Sequence, residues 1–373
     1  MVNADKIGWG HYGGFEGPYY SGAVHYVLAA TPDENDRRLR VLTATESGAY
    51  DAVNMYDQCI ISIGLIQWCE SQYYLSSKLL HSVAEAGCAD VIQTALAPAL
   101  TACKASFKKN PTGQWRFFFD EPRDFTIDGK TINLPAGEVN SSQRQQALFL
   151  GCDGKLNSWS DENKAQAKLW AACMANIWSD TAAQVAHVSY TKQRLMGFVL
   201  PASKTMLWDG TPDSGWQGVM RAAFISFAGN NPNLANVHLL KAAGELKSAK
   251  WSPEWCTGVL KEMTFGPNVA IYSTRYDKIR PLLEQLWTDI TLPKTAIELK
   301  VWQEPDPKPV DASAHIAEPV TPIPSPESVT PVPPEQIITV PFPAAVAQAP
   351  SSGGILAFLL KLITTLLGLF SKK

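Results

Sequence analysis

Apolar positions recur at helical spacing through most of residues 1–302. Between Lys164 and Ala186, Trp170, Cys173, Ile177 and Trp178 fall on one stripe, which predicts a long helix with a buried face. Similar stripes predict helices over Leu75–Ala86, Val91–Lys104, Gly215–Ala228, Leu234–Lys247 and Tyr276–Thr288. The second is expected to break or kink at Pro98, which removes a donor from the helix interior. Asp33-Glu34-Asn35-Asp36 precedes Arg37–Leu42 and places acidic residues at the positive end of a helix dipole. That helix would run towards Glu46 and stop near Gly48.

Alternating apolar and polar positions are scarce. Gln114–Phe119 reads as a strand, and Phe125–Ile127 with Thr131–Leu134 reads as a hairpin across Asp128-Gly129. Gly8-Trp9-Gly10 and Gly13-Gly14 suggest a flexible N-terminal segment. The fold class expected is mainly α (α+β), with a small β-hairpin unit.

Two zones follow this globular stretch. Residues 303–352 hold half of the 26 prolines and read as an extended, disordered Pro-rich linker, since proline fits neither helix interiors nor central strands. Fully extended at about 3.1 Å per residue, it would reach on the order of 150 Å. Residues 353–373 follow a different rule. Ala357, Lys361, Thr364, Thr365, Gly368 and Lys372 share one stripe, and leucine, isoleucine and phenylalanine cover the rest. That is an amphipathic helix of roughly 27 Å, short of a bilayer core, with Lys361, Lys372 and Lys373 favouring an interfacial position. A membrane surface and a protein docking site are both open as its partner.

Composition narrows the function. Net charge is −3, and the lysines and arginines form no run interleaved with aromatics, so nucleic acid is not an expected partner. The six histidines are scattered without an HExxH motif, and no cysteine spacing suits a metal, so neither metal nor cofactor is expected. The seven cysteines read as reduced, mostly buried apolar residues. MVNADKIGWGHYGG has neither a basic nor an apolar leader pattern, so no secretory signal is expected. Synthesis in the cytoplasm would then be followed by action at the cell envelope, or by carriage in a phage or phage-like particle. There are 12 tryptophans; exposed ones could stack on sugars, although burial in the core accounts for most such residues.

The candidate chemistry centres on Thr45-Glu46-Ser47-Gly48 and, a short way downstream, Gly64-Leu65-Ile66-Gln67. Glycoside cleavage needs a proton-loaded acid at the leaving oxygen and a carboxylate, or the substrate's own acetamido group, on the other side of the ring. Glu46 follows apolar Val41-Leu42, and partial burial would raise its pKa as that task requires. Asp51, Asp57 and Glu70 are the candidate second carboxylates. Asp57 has enough intervening chain to fold back and face Glu46.

Glu46-Ser47-Gly48 followed by Ser62-Ile63-Gly64-Leu65-Ile66-Gln67 resembles the first motif of lytic transglycosylases and goose-type lysozymes. Ser226-Phe227-Ala228-Gly229-Asn230-Asn231-Pro232 is similar to the family's Ala-Tyr-Asn-Ala-Gly segment, and Tyr272-Ser273-Thr274-Arg275-Tyr276 to its late Thr-Arg-x-Tyr segment. The order agrees, and the matches cover about forty residues. The resemblance implies a lysozyme-like catalytic domain in which Glu46 is general acid and then base. It implies that Ser47 orients groups near the glycan or the Glu46 carboxyl, that Ser62, Gly64 and Gln67 contact the N-acetyl sugar, and that Asn230 and Tyr276 line the cleft. Three departures stand out. A large helical insert, about 75–215, separates the first two motifs and could form a lid or a second lobe. Ser226 and Phe227 replace the usual Tyr and Asn. Asp57 supplies an acid that transglycosylases lack, tilting the expected outcome towards hydrolysis.

The expected activity is cleavage of the β-1,4 glycan of bacterial peptidoglycan by residues 1–302. The alternative is a non-catalytic structural or docking component of a phage tail or injection particle, built on a degenerate lysozyme-like fold.

Overall fold

The computed structural model describes residues 1–303, apart from 71–74, 128, 153, 155–158 and 267–269. The Pro-rich linker and the C-terminal amphipathic helix, as well as Asp128 in the expected hairpin turn, lie outside the described residues. About 55% of the described residues are helical, and the strands form small antiparallel sheets.

The chain opens on a hairpin, β1 (Gly8–Tyr12) and β2 (Phe15–Tyr20). Here the expectation of a flexible segment is corrected. Gly13 and Gly14 sit at φ 58° and 86°, the two left-handed positions of a tight hairpin turn whose twist matches its strands. Helix α1 (Glu34–Thr43) starts in a reciprocal capping box: the Asp36 amide donates to the Asp33 carboxylate at 2.7 Å, and the Asp33 amide donates to Asp36 at 3.1 Å. Its Leu39, Val41 and Leu42 are fully buried. Three two-residue strands follow: β3 (Val53–Asn54), β4 (Ser62–Ile63) and β5 (Trp68–Cys69). With the hairpin they complete a five-stranded meander in the order β1-β2-β3-β4-β5.

Residues 75–215 are mixed rather than purely helical. Helices α2 (Leu75–Val83) and α3 (Ala89–Ala102) are separated by one wide π-helical turn with Gly87 at φ 93°. Helix α3 runs through Pro98 without ending. Strands β6 (Ala105–Lys109), β7 (Trp115–Phe119) and β10 (Gly137–Glu138) form one sheet. Strands β8 (Arg123–Ile127) and β9 (Lys130–Leu134) form the hairpin expected from their alternation. A short α4 (Ser142–Gln145) precedes α5 (Asp161–Asn176) and α6 (Thr181–Arg194). The single helix expected over 164–186 is therefore two. Asp180 takes an extended backbone, and its carboxylate accepts the Ala183 amide at 2.9 Å. The apolar stripe hid this break because burial continues across it, with Trp170 on α5 and Trp178 in the connecting turn both fully enclosed.

Helix α7 (Pro201–Leu207) leads to α8 (Gly215–Asn230), whose middle is buried all round. Then come α9 (Pro232–Glu245), α10 (Pro253–Phe265), α11 (Ala270–Leu286) and α12 (Ala296–Val301). Asn231 ends α8 and caps α9 by accepting the Leu234 amide at 3.0 Å, with Pro232 in the first turn. Helices α1 and α8 lie close: a Cβ on Gly229 would come within 2.6 Å of the Leu42 side chain. The 75–215 stretch packs into the same compact unit as α1 and α8 rather than forming a lobe of its own, with α5 against β2 and α6 against α1.

Cys59 and Cys69 form a disulfide, contrary to the expectation that all seven cysteines are reduced. The β4–β5 turn brings their Cα atoms to 5.1 Å, within bridging range. The other five are free and buried.

Candidate active site around Glu46

Glu46 stands in the turn just past the end of α1, where the Thr45 amide and hydroxyl both donate to the Leu42 carbonyl, at 3.1 and 2.9 Å. Its side chain is 16% exposed. Burial pushes its pKa up, and the nearby Arg275 and Lys278 pull it down without cancelling the rise. Arg275, on α11, donates from Nη2 to Glu46 Oε1 at 2.7 Å. Its Nη1 donates to Thr45 Oγ1 at 2.8 Å and to the Ser226 carbonyl at 3.2 Å. Thr45 Oγ1 and Ser226 Oγ are themselves 2.9 Å apart. One connected network thus joins residues from all three segments that carry the family resemblance.

Ser47 points the other way. Its hydroxyl donates to the Gly64 carbonyl at 2.8 Å, and the Gly48 amide donates to the Leu65 carbonyl at 3.2 Å. These bonds fasten the Glu46 segment to the turn at residues 64–67. Gly64 adopts φ 80°, and its amide donates to the Ala52 carbonyl at 2.8 Å. Gln67 also has positive φ, 53°, and its side-chain amide donates back to the Gly64 carbonyl at 3.0 Å. Gln67 therefore braces its own turn, in place of the sugar contact expected of that amide. Ser47 likewise orients this turn rather than the Glu46 carboxyl.

His187 from α6 lies beneath the turn. A Cβ on Gly64 would come within 2.1 Å of the imidazole Cε1. The ring is fully buried against Tyr50 and Trp178, and burial pushes its pKa down to about 3, so it is neutral.

The proposed second carboxylates are engaged elsewhere. Asp51 is buried, and its carboxylate accepts the Ala23 and Val24 amides at 2.9 Å, pinning the segment before α1. Glu70 is buried and accepts from the Ser77 amide at 2.7 Å, the Ser77 hydroxyl at 2.5 Å and Gln145 at 2.9 Å. Asp57 accepts the Cys59 amide at 2.8 Å and the Asn54 side chain at 3.1 Å; burial raises its pKa. Strand register places it at one end of β4. Asn54 pairs with Ser62 at the end of β4 that leads to the 55–61 loop, and Ile63 pairs with Trp68 at the end that leads to the 64–67 turn. Ser47 holds that second end. Asp57 belongs to the loop at the first, where its carboxylate caps its own turn.

Two expected sugar contacts are also corrected. Ser62 is 2% exposed within the sheet, and Tyr276 is fully buried with its hydroxyl donating to the Pro293 carbonyl at 2.7 Å. On α11 it is the preceding residue, Arg275, that turns towards Glu46. Asn230 is exposed at the last position of α8, one turn beyond Ser226 and so on the same helix face. Sequence reasoning passed over Thr45, Arg275 and His187. Arg275 had a signal, as a cation in a helix segment otherwise built from small and aromatic residues; His187 had none.

Among the described residues no group of three or more His, Cys, Asp or Glu side chains is placed to hold a metal ion. Compared with protein-family models, curated proteins and solved structures, the chain matches none.

Proposed function

We propose that this protein cleaves the β-1,4 glycan of peptidoglycan, with Glu46 as general acid and then base, on a lysozyme-like arrangement of α1, α8 and the small β3-β4-β5 sheet. The observation that carries the reading is the environment of Glu46. A carboxyl with raised pKa and partial exposure sits at a helix end, fixed by residues from the three segments that resemble lytic transglycosylases and goose-type lysozymes. A raised pKa favours the protonated form that can deliver a proton to a leaving oxygen. Asn230, exposed at the last position of α8, remains the candidate sugar contact.

The Asp57 carboxylate is taken up by the Cys59 amide and the Asn54 side chain, and on this reading the reaction runs on one carboxylate. Attack at the anomeric carbon then comes from the glycan itself, through its own 6-hydroxyl deprotonated by Glu46, and the product is a 1,6-anhydro sugar. The test is digestion of purified peptidoglycan with wild-type protein and Glu46→Gln. Wild type should release fragments one water lighter than hydrolysis products by mass spectrometry, and Glu46→Gln should release none. A Glu46→Gln protein as active as wild type ends the reading; hydrated ends would restore a hydrolytic route.

A second reading is a non-catalytic structural or docking component of a phage-like particle. It is favoured by the Arg275–Glu46 ion pair, an arrangement that also serves purely to hold helices together. Absence of any reducing-sugar release by wild-type protein would select it. Under either reading, residues 353–373 are proposed to bind a membrane surface or a carrier. Loss of anionic-vesicle binding on their deletion supports the membrane, and unchanged binding supports the carrier.

A further inference from the structure

We infer that Arg275 is a positioning residue for Glu46, fixing which carboxyl oxygen carries the proton and receiving the negative charge that Glu46 acquires when the proton leaves. This rests on the glycan-cleaving reading above and deepens it. Arg275 is anchored before it reaches Glu46. Thr45 Oγ1 and the Ser226 carbonyl take Nη1, leaving Nη2 aimed at Oε1, and the Arg275 side chain is only 9% exposed. Thr45 has little freedom, because its hydroxyl also donates to the Leu42 carbonyl at 2.9 Å and lies 2.9 Å from Ser226 Oγ. A guanidinium donates and cannot accept, so the oxygen it holds is the unprotonated one. The transferable proton therefore belongs on Oε2.

The bond to Oε1 survives both protonation states. In the acid form, Oε1 is a carbonyl-type acceptor. When Oε2 gives its proton to the glycosidic oxygen, the bond from the anomeric carbon to that oxygen breaks and its electron pair leaves with the oxygen. Glu46 is then a carboxylate facing an adjacent, already oriented cation. It next takes the proton of the attacking hydroxyl and returns to its starting form. A charge-assisted bond of this kind strengthens as charge develops, which is where an interaction accelerates a reaction rather than only binding substrate. The charged groups bearing on Glu46 are Arg275 and, at longer range, Lys278, both on α11. Tyr272, one turn before Tyr276, also feels Arg275, and its pKa is pushed up to about 12 by burial. The face of α8 that meets the pair contributes the Ser226 hydroxyl and carbonyl, neither of which titrates near neutrality.

The test compares wild type with Arg275→Met and Arg275→Lys in the full chain. Carbon-13 NMR titration of the Glu46 carboxyl should move to higher pH by about one unit or more in Arg275→Met, with Arg275→Lys restoring part of the shift. The fall in kcat should be on the order of a hundredfold, with KM little changed, and the alkaline limb of kcat/KM should move up with the titration. Thr45→Val, which removes one anchor and keeps the cation, should shift both in the same direction by less, and serves if Arg275→Met does not fold. An unmoved Glu46 titration in a folded variant overturns the inference. Because the titration needs no turnover, it reports on Arg275 even if Glu46→Gln shows that the glycan-cleaving reading is wrong.

Discussion

Gly64 rests directly on His187: a methyl group in place of its hydrogen would stand 2.1 Å from the imidazole Cε1 and 2.7 Å from Nε2. The turn that Ser47 holds is thereby fixed from below by a residue far along the chain. Glycine is required twice over, for this approach and for φ 80°. Gly64→Ala should destabilise the protein by about 2 kcal/mol or more in urea denaturation. In a His187→Ala background the same change should cost less, because the clash is relieved and only the backbone term remains. Equal costs in the two backgrounds would show that the ring does not set the turn.

Ser47 offers a milder perturbation. Ser47→Ala removes the donor to the Gly64 carbonyl and should cost about 1 kcal/mol of stability. Under the proposed function, activity should fall by at least about tenfold, since displacement of a positioning group is costly to catalysis. Full activity in Ser47→Ala would separate the turn from the site.

Glu70 gives a pH dependence. Burial pushes its pKa up to about 7 from 4.5, against the pull of Ser77, Arg116 and Gln145. The folded state binds this proton more tightly than the unfolded chain does. The stabilisation is therefore fully present below pH 4.5 and is lost as pH rises through 7. A difference of that size corresponds to about 3 kcal/mol. Glu70→Gln, which keeps a neutral acceptor for Ser77, should flatten this fall between pH 4.5 and 8 in chemical denaturation. An identical profile in wild type and variant would place the titration elsewhere.

The Cys59–Cys69 disulfide closes a loop of sequence separation 10 that holds β4 and the 64–67 turn. Loop-closure entropy alone gives it roughly 2–3 kcal/mol. Reduction, or the Cys59→Ser/Cys69→Ser double change, should lower the melting temperature by several degrees. An unchanged melting temperature under reductant, with loss of the disulfide verified by thiol titration, would show that the loop is already ordered by strand pairing and by the bonds to the Gly64 carbonyl.

Helix positions were legible where a local signal was complete. The acidic start of α1 became a capping box, and the apolar stripes at 75–86, 215–228, 234–247 and 276–288 each fall largely within a helix. The 125–134 hairpin was likewise readable from alternation. The five-stranded meander was not: β3, β4 and β5 have two residues each, too few to show a period. The N-terminal hairpin was hidden by its glycines at 8, 10, 13, 14 and 17. Gly13 and Gly14 supply the left-handed turn, whereas Tyr19 covers Gly8, Tyr56 covers Gly10 and the Met55 carbonyl meets Gly17, contacts that only tertiary packing reveals.

The candidate site divides along the same line. The amino-acid sequence by itself determined that Glu46 follows a helix end and precedes a glycine, because capping, apolar periodicity and glycine all act within a few residues. Which groups surround that carboxyl was decided by tertiary structure. Arg275 is brought to Glu46 by the packing of α1, α8 and α11, His187 to Gly64 by α6, and Asp57 into a capped loop by strand pairing between distant partners. Burial, ion pairing and register each depend on residues distant in the chain, and no local pattern encodes them.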